Sequence, residues 1–230
     1  MSDGALRALA PGLWVADRPL GNPLAEIGTR MTVIRLRDGG LFLHSPAKLD
    51  APTRAALDAL GPVRCVVCPN RAHHLFAADY VAAYPDAQLY GAPNLAPKRR
   101  DLKFAEELSN VAPAAWRADL EQHVFAGAPF LSEVVFFHPA TRTLLLTDLA
   151  FNVLEGKTEG ARFFCWLSGA EGRFGPHRLI RWFMIRDHAA ARASLARILA
   201  WDFDRVTVTH GDVLESGGRE ALRKGFAFLA

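Results

Sequence analysis

Residues 63–75 read VRCVVCPNRAHHL. The first six, β-branched and almost wholly apolar, have the composition of a strand buried on both faces. A polar stretch, PNRA over residues 69–72, follows, then His73 and His74. Residues 75–84 (LFAADYVAAY) carry helical periodicity and stop at Pro85. A buried strand that runs out into a histidine-bearing loop and opens a helix puts that loop at the edge of a sheet. Mixed α/β folds place their chemistry there.

The pattern extends in both directions. Upstream, residues 31–36 (MTVIRL), the Asp38-Gly39-Gly40 turn and residues 41–44 (LFLH) predict a β-hairpin. Residues 50–60 (DAPTRAALDAL) predict a helix with Asp50 as its N-cap and Gly61-Pro62 as its stop. Downstream, residues 88–90 predict a short strand, and residues 91–103 (GAPNLAPKRRDLK) a basic, proline-rich surface loop. Residues 132–138 (SEVVFFH) and 143–147 (TLLLT) predict two antiparallel strands joined by a four-residue connection. Residues 150–186 are irregular and aromatic, holding Phe151, Phe163, Phe164, Trp166, Phe174, Trp182 and Phe183. A helix over 187–201, a strand over 205–209, the His210-Gly211-Asp212 turn and a helix over 218–229 complete the chain. Neither a repeat nor a linker divides it, so one mixed α/β (α+β) domain over residues 1–230 is expected.

Composition removes several classes of function. With 50% hydrophobic and 22% charged residues, the chain is neither disordered nor collagen-like. At 230 residues it can bury roughly 70 to 75% of its unfolded surface, so any metal would serve chemistry before folding. The 27 basic and 24 acidic residues nearly cancel, to a net +3. They leave no charge field that points to nucleic acid. Three cysteines do not form the framework of a disulfide mini-protein. The first residues, MSDGALRALAPGLW, hold no apolar signal core, and no window approaches a membrane span. A cytoplasmic protein without a membrane or nucleic-acid partner is the expectation.

Four strand ends carry residues able to ligate or catalyse. These are His44-Ser45, the loop from Asn70 to His74, Asp148 after TLLLT, and His210-Gly211-Asp212 after RVTVT. Strand ends on one edge of a sheet converge, so His73, His74, Asp148 and His210 can meet although far apart in the chain. Imidazole and carboxylate suit Zn, Mn or Fe, and an open coordination position would make a water nucleophilic near neutral pH. The bland alternative is that each is a turn residue bonded to loop backbone. On a helix start His73 and His74 point about 100° apart, so only one of them faces the site. Cys65-Val66-Val67-Cys68 has CxxC spacing, but on a strand residues three apart face opposite sides, which favours core packing over ligation. Ser45 lacks a G-x-S-x-G elbow. Lys98, Arg99, Arg100 and Lys103 read as a solvated basic loop or as an acidic-group site. The aromatic run over 150–186 reads as a lid, a dimer contact or a satellite core under a long connection.

In the order of its elements and in the motifs CPNRAHHLF and FFHPATRTLLLTDLAFN, the chain resembles an uncharacterised bacterial branch of the metallo-β-lactamase fold superfamily. The likeness spans nearly the whole sequence. It implies a four-layer αββα sandwich with a metal site at one edge. Residue by residue, Asp148 falls at the family's bridging aspartate and His210 at the last histidine of its motif. The family's T-H-x-H-x-D-H loop is largely replaced: from Pro69, its first two histidines become Asn70 and Ala72, its aspartate becomes His74, and its last histidine becomes Leu75. The histidine expected before the strand at Ser132 is absent from residues 125–130, although His123 lies just upstream. The early strand that ends in Asp in many relatives ends here in His44-Ser45-Pro46.

The resemblance therefore implies at most one ion, Zn, Mn or Fe, held by Asp148 and His210 with His73 or His74. On that reading the chain is a metal-dependent hydrolase, with Asp148 and His210 catalytic, acting through a metal-bound water on a small-molecule ester, amide or phosphodiester. The alternative is a non-catalytic member with a degraded metal site, acting as a ligand-binding or oligomeric interaction module, for which a homodimer is one expectation.

Overall fold

The computed structural model describes residues 5–20, 28–153 and 172–230. Its largest sheet begins with two hairpins, β1 (Arg7–Ala10) with β2 (Leu13–Arg18), and β3 (Thr29–Arg35) with β4 (Leu41–His44), all antiparallel neighbours. The Asp50 carboxylate accepts the Thr53 amide hydrogen and caps helix α1 (Ala51–Leu60), which crosses over to β5 (Val63–Cys68). Strand β5 lies parallel to β4 on one side and to β6 (Gln88–Gly91) on the other. Helix α2 (Ala77–Ala83) joins the latter pair, and β7 (Glu106–Glu107) closes a seven-stranded sheet. The second sheet has four strands in the order β13 (Arg205–Thr207), β10 (Thr143–Leu145), β9 (Val134–His138) and β8 (Glu121–Val124). Its β10 is antiparallel to β9 and parallel to β13. A two-stranded piece pairs β11 (Phe151–Asn152) with β12 (Phe174–Gly175). Helices α3 (His188–Leu199) and α4 (Gly218–Gly225) complete the α-helices among the described residues.

Alternation along the strands sorts the buried side chains into three layers, because successive residues face opposite sides of a sheet. Leu41, Leu43, Val66 and Cys68 face outward and pack with Leu57 of α1 and Tyr80 of α2. Phe42, Cys65 and Val67 face inward and meet Val134, Phe136 and Leu145 of the second sheet around the fully buried Trp116. Val135, Phe137, Leu144 and Val206 face away again, against Ala191, Leu195 and Ile198 of α3 and Leu222 of α4. The layers run helix, sheet, sheet, helix, which is the αββα sandwich expected from the sequence. Cys65 and Cys68 sit on opposite faces of β5 as expected, and burial pushes both thiols up to about 12.

Several boundaries differ from expectation. Helix α2 starts at Ala77 after a series of turns, since Phe76 at its N-cap offers no side-chain acceptor to hold the preceding residues helical. The strand expected over 132–138 begins at Val134, because Ser132 has φ +49° and the Glu133 side chain is turned to another task. Strand β13 ends at Thr207, and the C-terminal helix ends at Gly225 before a short 3₁₀ turn, Ala227–Leu229. Sequence reading missed the β1–β2 hairpin, whose turn uses Gly12 at φ +78°, and β8. Of the aromatic run, Phe163, Phe164 and Trp166 lie outside the described residues. Phe151 is buried, while Trp182 and Phe183, on the π-helical turn Ile180–Met184, are exposed.

Candidate metal centre

Three of the strand ends singled out in the sequence meet. His73 Nε2 lies 3.2 Å from Asp148 Oδ1, and His210 Nε2 lies 3.4 Å from the same oxygen. The three ligand-type atoms are all within 4.8 Å of one another. His73 comes from the loop after β5, Asp148 from the loop after β10, and His210 from the turn after β13, so the site joins both sheets at one edge. His74 points elsewhere: its Nδ1 and its carbonyl oxygen both meet Arg99 Nη1, and Arg99 is itself paired with Asp101. The choice that the sequence left open between the two histidines falls to His73. His123 also lies apart, bonded through Nε2 to Ser194 on α3.

Each ligand is held from behind. His210 Nδ1 donates to the Gly28 carbonyl at 2.7 Å, and the ring stacks on Phe151 at 5.2 Å with planes 10° apart. With its one hydrogen committed to that carbonyl, a neutral His210 turns the lone pair of Nε2 toward the Asp148 carboxylate, an acceptor facing an acceptor. Such a pair demands a cation, either a proton or a metal ion. His73 Nδ1 is engaged by Ser45 Oγ at 2.9 Å, which leaves its Nε2 to face Asp148 as well. Ser45 is wholly buried at φ +57° and does not line the cavity over Asp148, so it orients the imidazole and is not placed to attack a substrate.

Asp148 Oδ2 is taken by Asn70, whose Nδ2 donates to it at 2.8 Å and also to Glu133 and Thr147. The Asn70 Oδ1 accepts from the amides of Ala72 and His73 and so shapes the histidine loop. Glu133, fully buried, accepts the backbone hydrogens of Thr147, Asp148 and Leu149 and thereby fixes the loop that carries the aspartate. On the other side, the buried Arg30 of β3 donates to the carbonyls of Val208 and Gly211, each at 2.8 Å, and pairs with Asp17 at 2.6 Å. This contact anchors the His210 turn to the first sheet.

The electrostatics follow from burial and proximity. Burial disfavours charge on Asp148, but the neighbouring His73 and His210 outweigh it and hold the carboxyl well below the usual range. Burial pulls His73 down, while the Asp148 charge and hydrogen bond, with Glu133 behind them, raise it overall. Glu133 is pushed up to about 7, first by burial and then by the Asp148 charge. His177, at the edge of the same cavity, is lowered chiefly by burial.

The donor set fits a single divalent ion. Bonds of roughly 2.0 to 2.1 Å to nitrogen and oxygen give a tetrahedron with edges of about 3.3 Å, and the two His–Asp separations, 3.2 and 3.4 Å, are of that length. Two imidazoles and a carboxylate with an open position suit zinc and also Mn or Fe.

The comparisons with known proteins agree with this architecture. Residues 12–162 match the family described as a domain of unknown function, DUF4336. The chain belongs to this family. No curated protein matches. Among solved structures, it is similar to a metallo-β-lactamase from Pontibacter korlensis, with a TM-score of 0.68 and 12% identity over 97% of each chain. It is also similar to the metallo-β-lactamase FIM-1 from Pseudomonas aeruginosa in the mono-zinc form, with a TM-score of 0.63 and 14% identity over 98% of this chain and 92% of that one. The flavodiiron core of Flv1 from Synechocystis, a metal-soaked structure, gives 0.66 at 15% identity over 97% of this chain and 60% of that one. The fold is the metallo-β-lactamase fold that the motifs implied. His73 and Asp148 lie inside the DUF4336 match, and His210 lies beyond it.

In the sequence Asn70 stands out only as the start of the histidine loop, in place of the family's first histidine, and Glu133, Arg30 and His177 do not stand out as parts of the site. Glu133 carried a legible signal, a lone carboxylate opening the apolar run EVVFF. Arg30 and His177 carried none, since only the fold brings β3 and the segment after β12 to this edge.

Proposed function

We propose that this protein is a metal-dependent hydrolase that holds one ion, Zn, Mn or Fe, on His73, Asp148 and His210, and cleaves an ester, amide or phosphodiester in a small molecule. The observation that carries the reading is the convergence of two imidazole Nε2 atoms on one carboxylate oxygen while both Nδ1 atoms are already engaged. A divalent ion bound there supplies an acidified water and a Lewis acid for a carbonyl or phosphoryl oxygen. The chain's own part is to orient. The Gly28 carbonyl sets the tautomer of His210, Ser45 holds the His73 ring in place, and Asn70 occupies the second aspartate oxygen, which favours one ion over two. Phe151 packs on His210 and keeps water from its flank.

Free, buried Cys65 and Cys68 suit a reducing compartment, and among the described residues no helix is long and apolar enough to cross a membrane. A panel of chromogenic esters, amides and phosphodiesters, assayed with Zn, Mn or Fe and with chelator, tests the activity. At least one substrate is expected to turn over with chelator sensitivity and to lose about 10²-fold or more in Asp148→Asn. Turnover that is indifferent to both chelator and Asp148→Asn would contradict the reading, and no turnover with any metal would favour the non-catalytic alternative.

A further inference from the structure

A cavity of about 470 Å³ opens over Asp148, within the size range of small-molecule sites. Beside Asp148 and His177, its described lining has an apolar part and a cationic part. Phe130, Leu179, Ile180 and Met184 give it an apolar wall, and two of these, Phe130 and Leu179, are 60% and 47% exposed. Large apolar side chains left open beside a cavity that reaches a candidate metal centre are the surface a ligand would cover. The other lining group is cationic. Arg71 follows β5 and Lys98 follows β6, and Lys98 Nζ donates to the Arg71 carbonyl at 2.8 Å, which holds the two basic residues together.

Among the described residues neither Arg71 nor Lys98 forms an ion pair, and Arg71 Nε is buried without a hydrogen-bond partner. The one carboxylate among the described lining residues, Asp148, has both oxygens met by His73, His210 and Asn70, so it does not satisfy these cations. Two linked cations next to an apolar wall select a molecule that carries both features.

We propose that the substrate is an amphipathic anion, with an apolar body seated against Phe130, Leu179, Ile180 and Met184 and an acidic group held by Arg71 and Lys98. Seated in this way, it brings the bond to be cleaved over Asp148. As a statement about substrate, this rests on the hydrolase reading above. The selectivity of the cavity can be measured separately from catalysis.

Octanesulfonate is a suitable probe, since it has both features and is a weak metal ligand. Calorimetric titration of the full-length protein, as purified and after chelation, is expected to show one site that binds octanesulfonate about tenfold or more tighter than ethanesulfonate or octyltrimethylammonium. Arg71→Gln with Lys98→Gln should weaken octanesulfonate about tenfold. Leu179→Ser, at an exposed position that leaves the core intact, should weaken it several-fold. Equal binding of the cationic amphiphile or of ethanesulfonate, or unchanged binding by the Arg71/Lys98 double variant, would overturn the proposal while leaving the metal reading standing. Octanesulfonate selectivity without chelator-sensitive hydrolysis would support the cavity assignment and sink the hydrolase.

Discussion

His44 shows how closely single residues are set here. At the end of β4 its side chain is buried between the sheets, edge-on to Phe136 at 5.4 Å, and its Nε2 has no hydrogen-bond partner among the described residues. Burial, and then the proximity of His73, push the imidazole down to about 3. In the unfolded chain a histidine titrates near 6.5, so on acidification the unfolded state takes up this proton well before the native state does. The stability contributed by neutral His44 is therefore complete above about pH 6.5 and declines as pH falls toward the folded value. His44→Gln should flatten the fall in urea midpoint between about pH 6.5 and pH 4 relative to the parent protein. Parallel declines in the two proteins would show that His44 is not the group responsible. The sequence placed His44 at a position where many relatives carry aspartate, but not that it would be enclosed and uncharged. Enclosure depends on Phe136, nearly a hundred residues downstream.

At the scale of elements, what was legible depended on whether burial was written into contiguous residues. Strand β5 is buried on both faces, so its run VRCVVC announces itself, and α1 declares its start through Asp50 and its stop through Gly61. Strands β1 and β8 have exposed or half-exposed positions and little apolar contrast, and their pairing came only from the fold. The turn after β13 was read correctly as His210-Gly211, and the structure supplies its reason. Gly211 has φ +98°, and a Cβ there would lie 2.3 Å from the Asn152 carbonyl oxygen, because the turn bridges to β11. Gly211→Ala should thus cost more than the roughly 1 to 3 kcal/mol of a strained backbone alone and displace His210. Gly217, at φ +72° with nothing within 4 Å of such a Cβ, meets the strain without the clash. Denaturant titration should rank Gly211→Ala as the more destabilising of the two, and equal costs would mean that the turn can move away from β11.

Across the whole molecule, the site exists only because the two sheets end at a common edge. His73 is delivered by the first sheet and Asp148 and His210 by the second, with Arg30 and Glu133 holding the two sets of loops. Asp148 and His210 could be placed from motif position, because each stands three residues beyond the end of a strand. Which of the adjacent histidines joins them depended on the turns between β5 and α2, and Asn70 sets those turns through its bonds to Ala72 and His73. The supporting shell was largely illegible, since its contacts reach across 60 or more residues, as those of Asn70 with Glu133 and Asp148 do.

Elemental analysis of protein purified without a metal-affinity tag decides whether His73, Asp148 and His210 hold one ion. Close to one Zn, Mn or Fe per chain is expected, lost in His73→Ala and in His210→Ala and kept in His74→Ala. Metal-free, folded parent protein that takes up no ion on reconstitution would contradict it, as would an ion that survives removal of His210.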